Sequence, residues 1–218
     1  MKTIYCIPGL GANETIFSRL NPKLAEIKPL KMVRPASDES IGSYASRLAE
    51  QIDSSHPFWL LGQSFGGMLA IELARVCPPE KLILISSTKC RKELPWYGRL
   101  IGNLRLHRFV PLAHPQYTSR ISISLNGIKS AEDLAVFKGF AAGRDIELLR
   151  WSVDQALRWR ECALPEKTVS VHGTADRLLP GRYVHPDFWI EGGTHFMIVT
   201  KAKEISDLLD RLIGPECD

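Results

Sequence analysis

A break in one apolar run, at a turn built on glycine and serine, constrains the fold of this 218-residue chain more than any other feature. Residues 58–61 are apolar, residues 62–66 read Gly-Gln-Ser-Phe-Gly, and residues 68–71 are apolar again. This pattern predicts a buried strand over 58–62 and a helix over 65–76. A strand and a helix joined so tightly need small residues where they approach each other. The sequence therefore predicts a strand–turn–helix unit with one serine at its tip.

Ser64 lies at the apex of this turn and at the start of the helix. A serine in so tight a turn is held in strained backbone geometry, which exposes its hydroxyl. The free N–H groups and the positive dipole end of the helix favour a negative charge that develops beside it. We interpret Ser64 as a candidate nucleophile. The alternative is a glycine-rich turn in which Ser64 only caps the helix.

Two later strand–loop segments offer the base and the acid that a serine nucleophile requires, since its hydroxyl is too weakly acidic to attack unaided at neutral pH. Residues 168–172 alternate with β-branched side chains and lead through a glycine to Asp176. Residues 188–190 are apolar and lead through two glycines to His195. The order along the chain is serine, aspartate, histidine. Glu191 is a second carboxylate near His195, but it precedes the double glycine, so Asp176 is preferred.

In this order of motifs the chain resembles the α/β-hydrolase superfamily, in which the nucleophile lies on such a turn and the triad follows the same order. The resemblance covers nearly the whole chain. It rests on four segments together, at residues 7–11, 62–67, 172–176 and 192–195. It implies an α/β fold: a mostly parallel sheet of about six strands, flanked by helices and carrying a helical cap insertion.

The resemblance also implies roles for individual residues. Ser64 would be the nucleophile, Asp176 the orienting acid and His195 the base, and the backbone N–H groups of Leu10 and Phe65 would form the oxyanion hole. His172 would have a structural role. One departure is a proline, residue 8, where many relatives have a histidine before the first glycine of the oxyanion loop. Backbone N–H groups act in that loop, so the difference is tolerable.

The strand and helix pattern supports a single domain over residues 1–218. Apolar strands are predicted at 3–7, 31–34, 58–62, 81–86, 168–172 and 187–190, and helices near 13–26, 40–53, 65–76 and 200–213. This alternation is typical of a parallel sheet. The alternation stops at about residues 88–164, which are expected to form the helical cap insertion. Within it, Ser130 is expected to be the N-cap residue of a helix. Trp151 and Trp159 lie among apolar residues further along.

Residues 89–108 within this insertion are basic and amphipathic. The favoured interpretation is an exposed basic face with an apolar side that packs on the core. A less favoured alternative is that this segment contacts an acyl chain with an anionic end. Contact with a membrane surface is also considered and is disfavoured.

Composition excludes several classes of function. The 28 basic and 24 acidic residues give a net charge of only +4, which does not indicate nucleic-acid binding. The histidines show no metal-ligand spacing, so no metal is expected. The chain begins with a strand rather than a signal peptide, and its odd number of cysteines lacks a C-x-x-C pair, which predicts reduced thiols and a cytoplasmic location. The cysteines are residues 6, 77, 90, 162 and 217.

The expected function is a serine hydrolase that cleaves a small or medium carboxylic ester through an acyl-enzyme and needs no cofactor. An acyl thioesterase or an amidase on the same triad remains open. So does a non-hydrolytic, small-molecule-binding or receptor-like protein of the same fold. Dehalogenation and epoxide hydrolysis are disfavoured, because the relatives that catalyse them carry an aspartate where this chain has Ser64.

Overall fold

A six-stranded sheet forms the frame of the protein, whose computed structural model describes residues 1–109, 115–160 and 163–214. The strand order is β2-β1-β3-β4-β5-β6 and all five pairings are parallel. The carboxyl ends of the strands therefore meet along one edge, where ligands bind in such sheets. The strands are β1 Lys2–Ile7, β2 Ala25–Pro29, β3 Phe58–Gln63, β4 Lys81–Ile85, β5 Thr168–Gly173 and β6 Phe188–Ile190.

The central strands are buried on both faces, as their unbroken apolar runs predict. Alternation along β3 sends Leu60 into one apolar cluster and Leu61 into another. Helices α1 Ile41–Ala49 and α2 Phe65–Val76 pack in the first cluster, and α7 Met197–Thr200 and α8 Ala202–Ile213 pack in the second. The sheet is thus covered by helices on both sides, and the predicted mostly parallel sheet of about six strands is confirmed.

The predictions for residues 13–34 are wrong. The expected helix at 13–26 is only a short 3₁₀ turn at Glu14–Phe17, and the expected strand at 31–34 is β2, several residues earlier. Pro22 has no N–H group and cannot continue a helix from that turn. β2 pairs with β1 from Ala25 to Pro29, and a proline is tolerated there because β2 is an edge strand.

Four helices follow β4 in the described part of the chain, and β5 comes only after them. They are α3 Trp96–Asn103, α4 Pro115–Asn126, α5 Ala131–Ala142 and α6 Ile146–Arg158, and we call this region, residues 96–158, the β4–β5 helical segment. The predicted helix N-cap at Ser130 is confirmed, since the Ser130 hydroxyl accepts a hydrogen bond from the N–H of Asp133 at 3.0 Å. Asp145 caps α6 in the same way.

Helix α3 packs by a different face from the one that its amphipathic sequence predicts. Its buried residues are Gly98 and Gly102, and a side chain at Gly102 would collide with the backbone of Leu157 on α6. The apolar side chains point to solvent instead, with Trp96 60% and Leu104 58% exposed. The expectation that the apolar side of residues 89–108 packs on the core holds for Leu94 but not for Trp96 and Leu100, because a close helix–helix contact through glycine sets the orientation of α3.

Cys6, Cys77 and Cys90 are free thiols. Cys162 and Cys217 lie outside the described residues. Within the described ranges, none of the helices has both the length and the apolar character needed to span a bilayer.

Candidate active site

Ser64 lies on a strained turn between β3 and α2. Its backbone has φ 54° and ψ −123°, a left-handed conformation that a residue with a side chain rarely adopts. A Cβ atom at Gly62 would collide with the carbonyl oxygen of Gly66, and one at Gly66 would collide with that of Ile7. Ser87, which follows β4, donates a hydrogen bond from its hydroxyl to the carbonyl oxygen of Ser64 at 2.6 Å. The strain predicted from the sequence is therefore present and is held by surrounding groups.

His195 lies between the serine and the aspartate that the sequence singled out. Its Nε2 is 2.9 Å from Ser64 Oγ, and its Nδ1 is 2.8 Å from Asp176 Oδ2. An ionised carboxylate only accepts hydrogen bonds, so the proton of the neutral imidazole is on Nδ1 and Nε2 is free to accept from the serine hydroxyl. All three residues are buried, with exposed fractions of 8% for Ser64, 5% for Asp176 and 3% for His195.

The loop after β5 holds the Asp176 carboxylate in place. Its Oδ1 accepts hydrogen bonds from the N–H groups of Leu178 at 2.9 Å and Leu179 at 2.8 Å. Burial alone would raise the pKa of Asp176, but the His195 imidazole and the N–H of Leu179 together hold that pKa below its ordinary value. The carboxylate is thus charged at neutral pH and can stabilise a positive charge on the imidazole.

His172 supports the same loop from the end of β5. Its Nε2 donates to the carbonyl oxygen of Leu179 at 2.8 Å and lies 3.4 Å from Asp176 Oδ2. Because a carbonyl can only accept, Nε2 carries the proton. Burial lowers the pKa of His172, so this imidazole stays neutral. The contacts fit the structural role that the sequence assigned to it.

Leu10 and Phe65 present backbone donors near the serine. Leu10 lines the same cavity as Ser64, and Phe65 is the first residue of α2. In the described structure no group accepts a hydrogen bond from either of these N–H groups. Gly9 lies against this site, since a Cβ there would be 3.0 Å from Ser64 Cβ, and Gly11 has φ +65°. The N–H groups of Leu10 and Phe65 thus have no acceptor within the described residues.

A cavity of about 180 Å³ opens at Ser64 and His195. One wall comes from the edge of the sheet and the other from the β4–β5 helical segment. Sequence reasoning missed the residues of the second wall, because no local pattern marks them. They are Ser122, Asn126, Phe137, Arg144 and Leu149.

Gln63 was also missed, although it directly precedes the nucleophile. It lines the cavity, and its Nε2 is 3.5 Å from the carbonyl oxygen of His195. Its side-chain oxygen occupies the space into which a Cβ of Gly9 would point. Gln63 therefore connects the loop of Leu10 to the loop of His195. Its position inside the Gly-x-Ser-x-Gly motif was the available signal.

Other candidates lie away from this cavity. Glu191 is exposed, whereas Asp176 is buried against the imidazole. The indole N–H of Trp151 donates to the Glu39 carbonyl oxygen at 2.7 Å, and that of Trp159 donates to the carboxylate of Glu72 at 2.7 Å. Among the described residues, no group of three histidine, cysteine or acidic side chains could hold a metal ion. His114 lies outside these residues.

Solved structures with the same architecture include hydrolases and esterases. A hydrolase from Pseudomonas aeruginosa PA01 superposes with a TM-score of 0.78 at 13% identity, covering 98% of this chain and 90% of that one. An esterase from Thermogutta terrifontis gives 0.74 at 15% identity, with coverages of 98% and 89%. A lipase-esterase related protein from Clostridium acetobutylicum gives 0.65 at 15%, with coverages of 96% and 93%. At such identities the likeness concerns the fold, and it confirms the predicted α/β-hydrolase fold.

No curated protein matches the chain by sequence. A family model described as a thioesterase domain matches residues 2–112, just over half of the chain. The matched part contains the loop of Leu10 and the turn of Ser64, and it ends before Asp176 and His195. This α/β-hydrolase-fold chain therefore belongs to the thioesterase-domain family.

Proposed function

We propose that this protein is a serine hydrolase that cleaves a small acyl ester through a covalent acyl-enzyme. The observation that carries the proposal is the hydrogen-bonded series from Ser64 Oγ to His195 and on to Asp176, at 2.9 and 2.8 Å, at the mouth of a cavity. A nucleophile, a base and an orienting acid in this geometry are the requirements of acyl transfer by serine.

In the first half of the reaction, Ser64 Oγ attacks the ester carbonyl while His195 Nε2 takes the hydroxyl proton. The Asp176 carboxylate stabilises the imidazolium and keeps the ring in its orientation. The carbonyl oxygen becomes negative and accepts hydrogen bonds from the N–H groups of Leu10 and Phe65. The C–O bond to the alcohol then breaks, and His195 returns its proton to the leaving oxygen.

In the second half, water replaces the alcohol. His195 takes a proton from the water as the water oxygen attacks the acyl carbon, and the same two N–H groups hold the second oxyanion. The bond to Ser64 then breaks, the serine recovers its proton from the imidazolium, and the carboxylic acid is released. Removal of one oxyanion donor in enzymes of this type costs about 3 to 4 kcal/mol of transition-state stabilisation.

The cavity favours a small acyl group. A dry cavity of about 150 Å³ in another protein holds one molecule of benzene. The cavity at Ser64, at about 180 Å³, is only slightly larger. A long acyl chain would extend beyond it. We also propose that the β4–β5 helical segment acts as a cap over the site, within one domain that spans residues 1–218, because residues of α4, α5 and α6 form its outer wall.

A thioester is the second candidate substrate, because the matching family is described as a thioesterase domain. The same atoms would act, with a thiol as the leaving group in place of an alcohol. An oxygen ester and a thioester of the same acyl group, compared by kcat/KM, separate the two activities. A higher value for the thioester would move the assignment to a thioesterase.

Covalent labelling with a fluorophosphonate probe tests the proposal directly. We expect one probe molecule per wild-type chain by intact mass, and none on Ser64→Ala. The matched control is Ser122→Ala, which removes another serine hydroxyl from the same cavity and should still be labelled. Folded wild-type protein that takes up no probe and hydrolyses no ester would overturn the proposal in favour of a non-hydrolytic binding protein.

A further inference from the structure

Arg144 places a positive charge in the wall of the cavity that holds Ser64 and His195. It lies between α5 and α6, and its Nε donates a hydrogen bond to the carbonyl oxygen of Gly11 at 3.2 Å. The guanidinium packs directly on that glycine, since a Cβ at Gly11 would be 3.1 Å from Arg144 Nε and 3.5 Å from Cζ. The charge is therefore fixed next to the loop of Leu10.

An aromatic contact fixes the guanidinium from the other side. Its Cζ lies 5.8 Å from the ring centroid of Phe137, within the range of a cation–π interaction. The Phe137 ring packs edge-on against Phe196, with centroids 5.8 Å apart, and Phe196 directly follows the histidine of the triad. Packing thus connects Arg144 to the loop of Leu10 through Gly11, and to the loop of His195 through Phe137 and Phe196.

No acidic side chain among the described residues forms an ion pair with Arg144. Arg19, Arg34 and Arg47, by contrast, each pair with an aspartate or a glutamate. Arg144 is half-buried, and burial lowers the pKa of its guanidinium with no carboxylate to oppose the effect. An anionic ligand beside such a half-buried cation would supply the counter-charge that the described residues do not.

We propose that Arg144 binds an anionic group of the substrate, so that the preferred substrate is a small ester with a carboxylate or a phosphate a few bonds from the scissile carbonyl. This inference rests on the proposed function and specifies its substrate class. The guanidinium has five N–H donors, of which one is used on Gly11. Its two terminal nitrogens form a planar fork that matches two oxygens of one anion.

The size of the cavity limits how far the anion is from the reacting carbon. Arg144 and Ser64 both line a space of about 180 Å³, so one small molecule reaches both. Two methylene groups between the scissile carbonyl and the charged group are suitable for a first test. Monoethyl succinate has this length with a carboxylate, and ethyl 3-phosphonopropanoate has it with a phosphonate. Ethyl 4-methylpentanoate replaces the carboxylate by an isopropyl group of similar shape and no charge.

The test is the ratio of kcat/KM for each anionic ester to that for the neutral ester, measured by acid release at constant pH. We expect the wild-type ratio to exceed one for at least one anionic ester, and Arg144→Gln to lower it by about 10- to 100-fold, as expected for a hydrogen-bonded charge pair. Arg144→Lys, which keeps the charge but loses the fork, should give an intermediate ratio. Arg150→Gln, at an exposed arginine of α6, should keep the wild-type ratio.

The outcomes separate this inference from the proposed function. A role of Arg144 in structure alone would lower the rates for all three esters together and leave the ratio unchanged, which would overturn the inference. Hydrolysis of the neutral ester with no preference for either anion would overturn it too, while the hydrolase assignment stands. If no ester is turned over, binding of monoethyl succinate to the Ser64→Ala protein is measured by calorimetry. Loss of that binding in Ser64→Ala/Arg144→Gln would support the anion site, and equal binding would overturn it.

Discussion

The carboxyl edge of the sheet and the β4–β5 helical segment form the two walls of one cavity, and they are built in different ways. At the edge, Ser64, Asp176 and His195 are at most 8% exposed, and His195 hydrogen-bonds to both of the others. In the helical segment, large apolar side chains such as Trp96 and Leu100 are 60% and 46% exposed. In the proposed function, the reacting groups lie on the more buried side, and the more exposed side would supply the contacts that distinguish substrates.

Apolar and polar contacts both link the two regions, since side chains of α5 and α6 also pack in the two apolar clusters of the sheet. Arg19 pairs with Glu132 and Asp133 on α5, and Trp151 of α6 donates its indole N–H to the carbonyl oxygen of Glu39. Exposed ion pairs contribute less than about 1 kcal/mol each. Because the proposed triad lies at the sheet edge, changes there should cost activity or stability in large amounts, whereas changes at the cavity residues of the helical segment should mainly alter substrate preference.

The largest effect is expected at Asp176, the acid of the proposed triad. Asp176→Asn keeps the size of the side chain but removes the charge that fixes the proton of His195 on Nδ1, and kcat should fall by about 10⁴-fold. Ester hydrolysis under saturating substrate measures it. The control is Glu191→Gln, which alters the exposed neighbouring carboxylate and should keep the wild-type rate. A normal kcat for Asp176→Asn would mean that another group orients the histidine.

The sequence was sufficient to predict the sheet edge because its signals are local. Gly62 and Gly66 mark the turn within five residues, and Asp176 and His195 each follow a short strand and a glycine. The three residues meet because parallel strands end at the same edge and the loops after β5 and β6 carry Asp176 and His195 to Ser64.

The other wall could not be predicted, for the opposite reason. Arg144 reaches the cavity through a contact with Gly11, 133 positions earlier in the chain, and although Gly11 belongs to the motif at residues 7–11, no local pattern marks Arg144. The amphipathic pattern of α3 was misleading as well, because Gly98 and Gly102 rather than its apolar residues face α6. The error at residues 13–34 had a similar cause. Pairing with β1 placed the strand at Ala25–Pro29, and this long-range contact outweighed the local pattern.

An effect of intermediate size is expected from a glycine-to-alanine substitution, made once at the sheet edge and once in the β4–β5 helical segment and measured by the free energy of unfolding. Gly66→Ala would place a methyl group against the carbonyl oxygens of Ile7 and Pro8, and we expect the free energy of unfolding to fall by about 3 kcal/mol. Gly139→Ala lies in α5, is exposed, and has no atom within 4 Å of the new Cβ. It should raise the free energy of unfolding by about 0.5 to 1 kcal/mol, since alanine favours a helix. Urea unfolding of both variants measures the difference. Equal effects would contradict the contrast between the two regions.

The smallest effect is expected from His172, beneath the Asp176 loop, and it depends on pH. Burial holds the pKa of His172 below its ordinary value of 6.5, so the unfolded chain binds a proton at this site that the folded protein does not. The contribution of this residue to stability is complete above pH 6.5 and is lost as the pH falls from there toward the folded pKa, by no more than about 1.4 kcal/mol per pH unit for one proton. His172→Gln keeps a donor for the carbonyl oxygen of Leu179 but cannot titrate.

Urea unfolding at pH 5 and pH 8 should therefore show a smaller loss of stability in acid for His172→Gln than for the wild type. Exposed His56 lacks this burial, and His56→Gln should retain the wild-type loss. Equal losses in all three proteins would mean that His172 is protonated in the folded state as readily as in the unfolded chain.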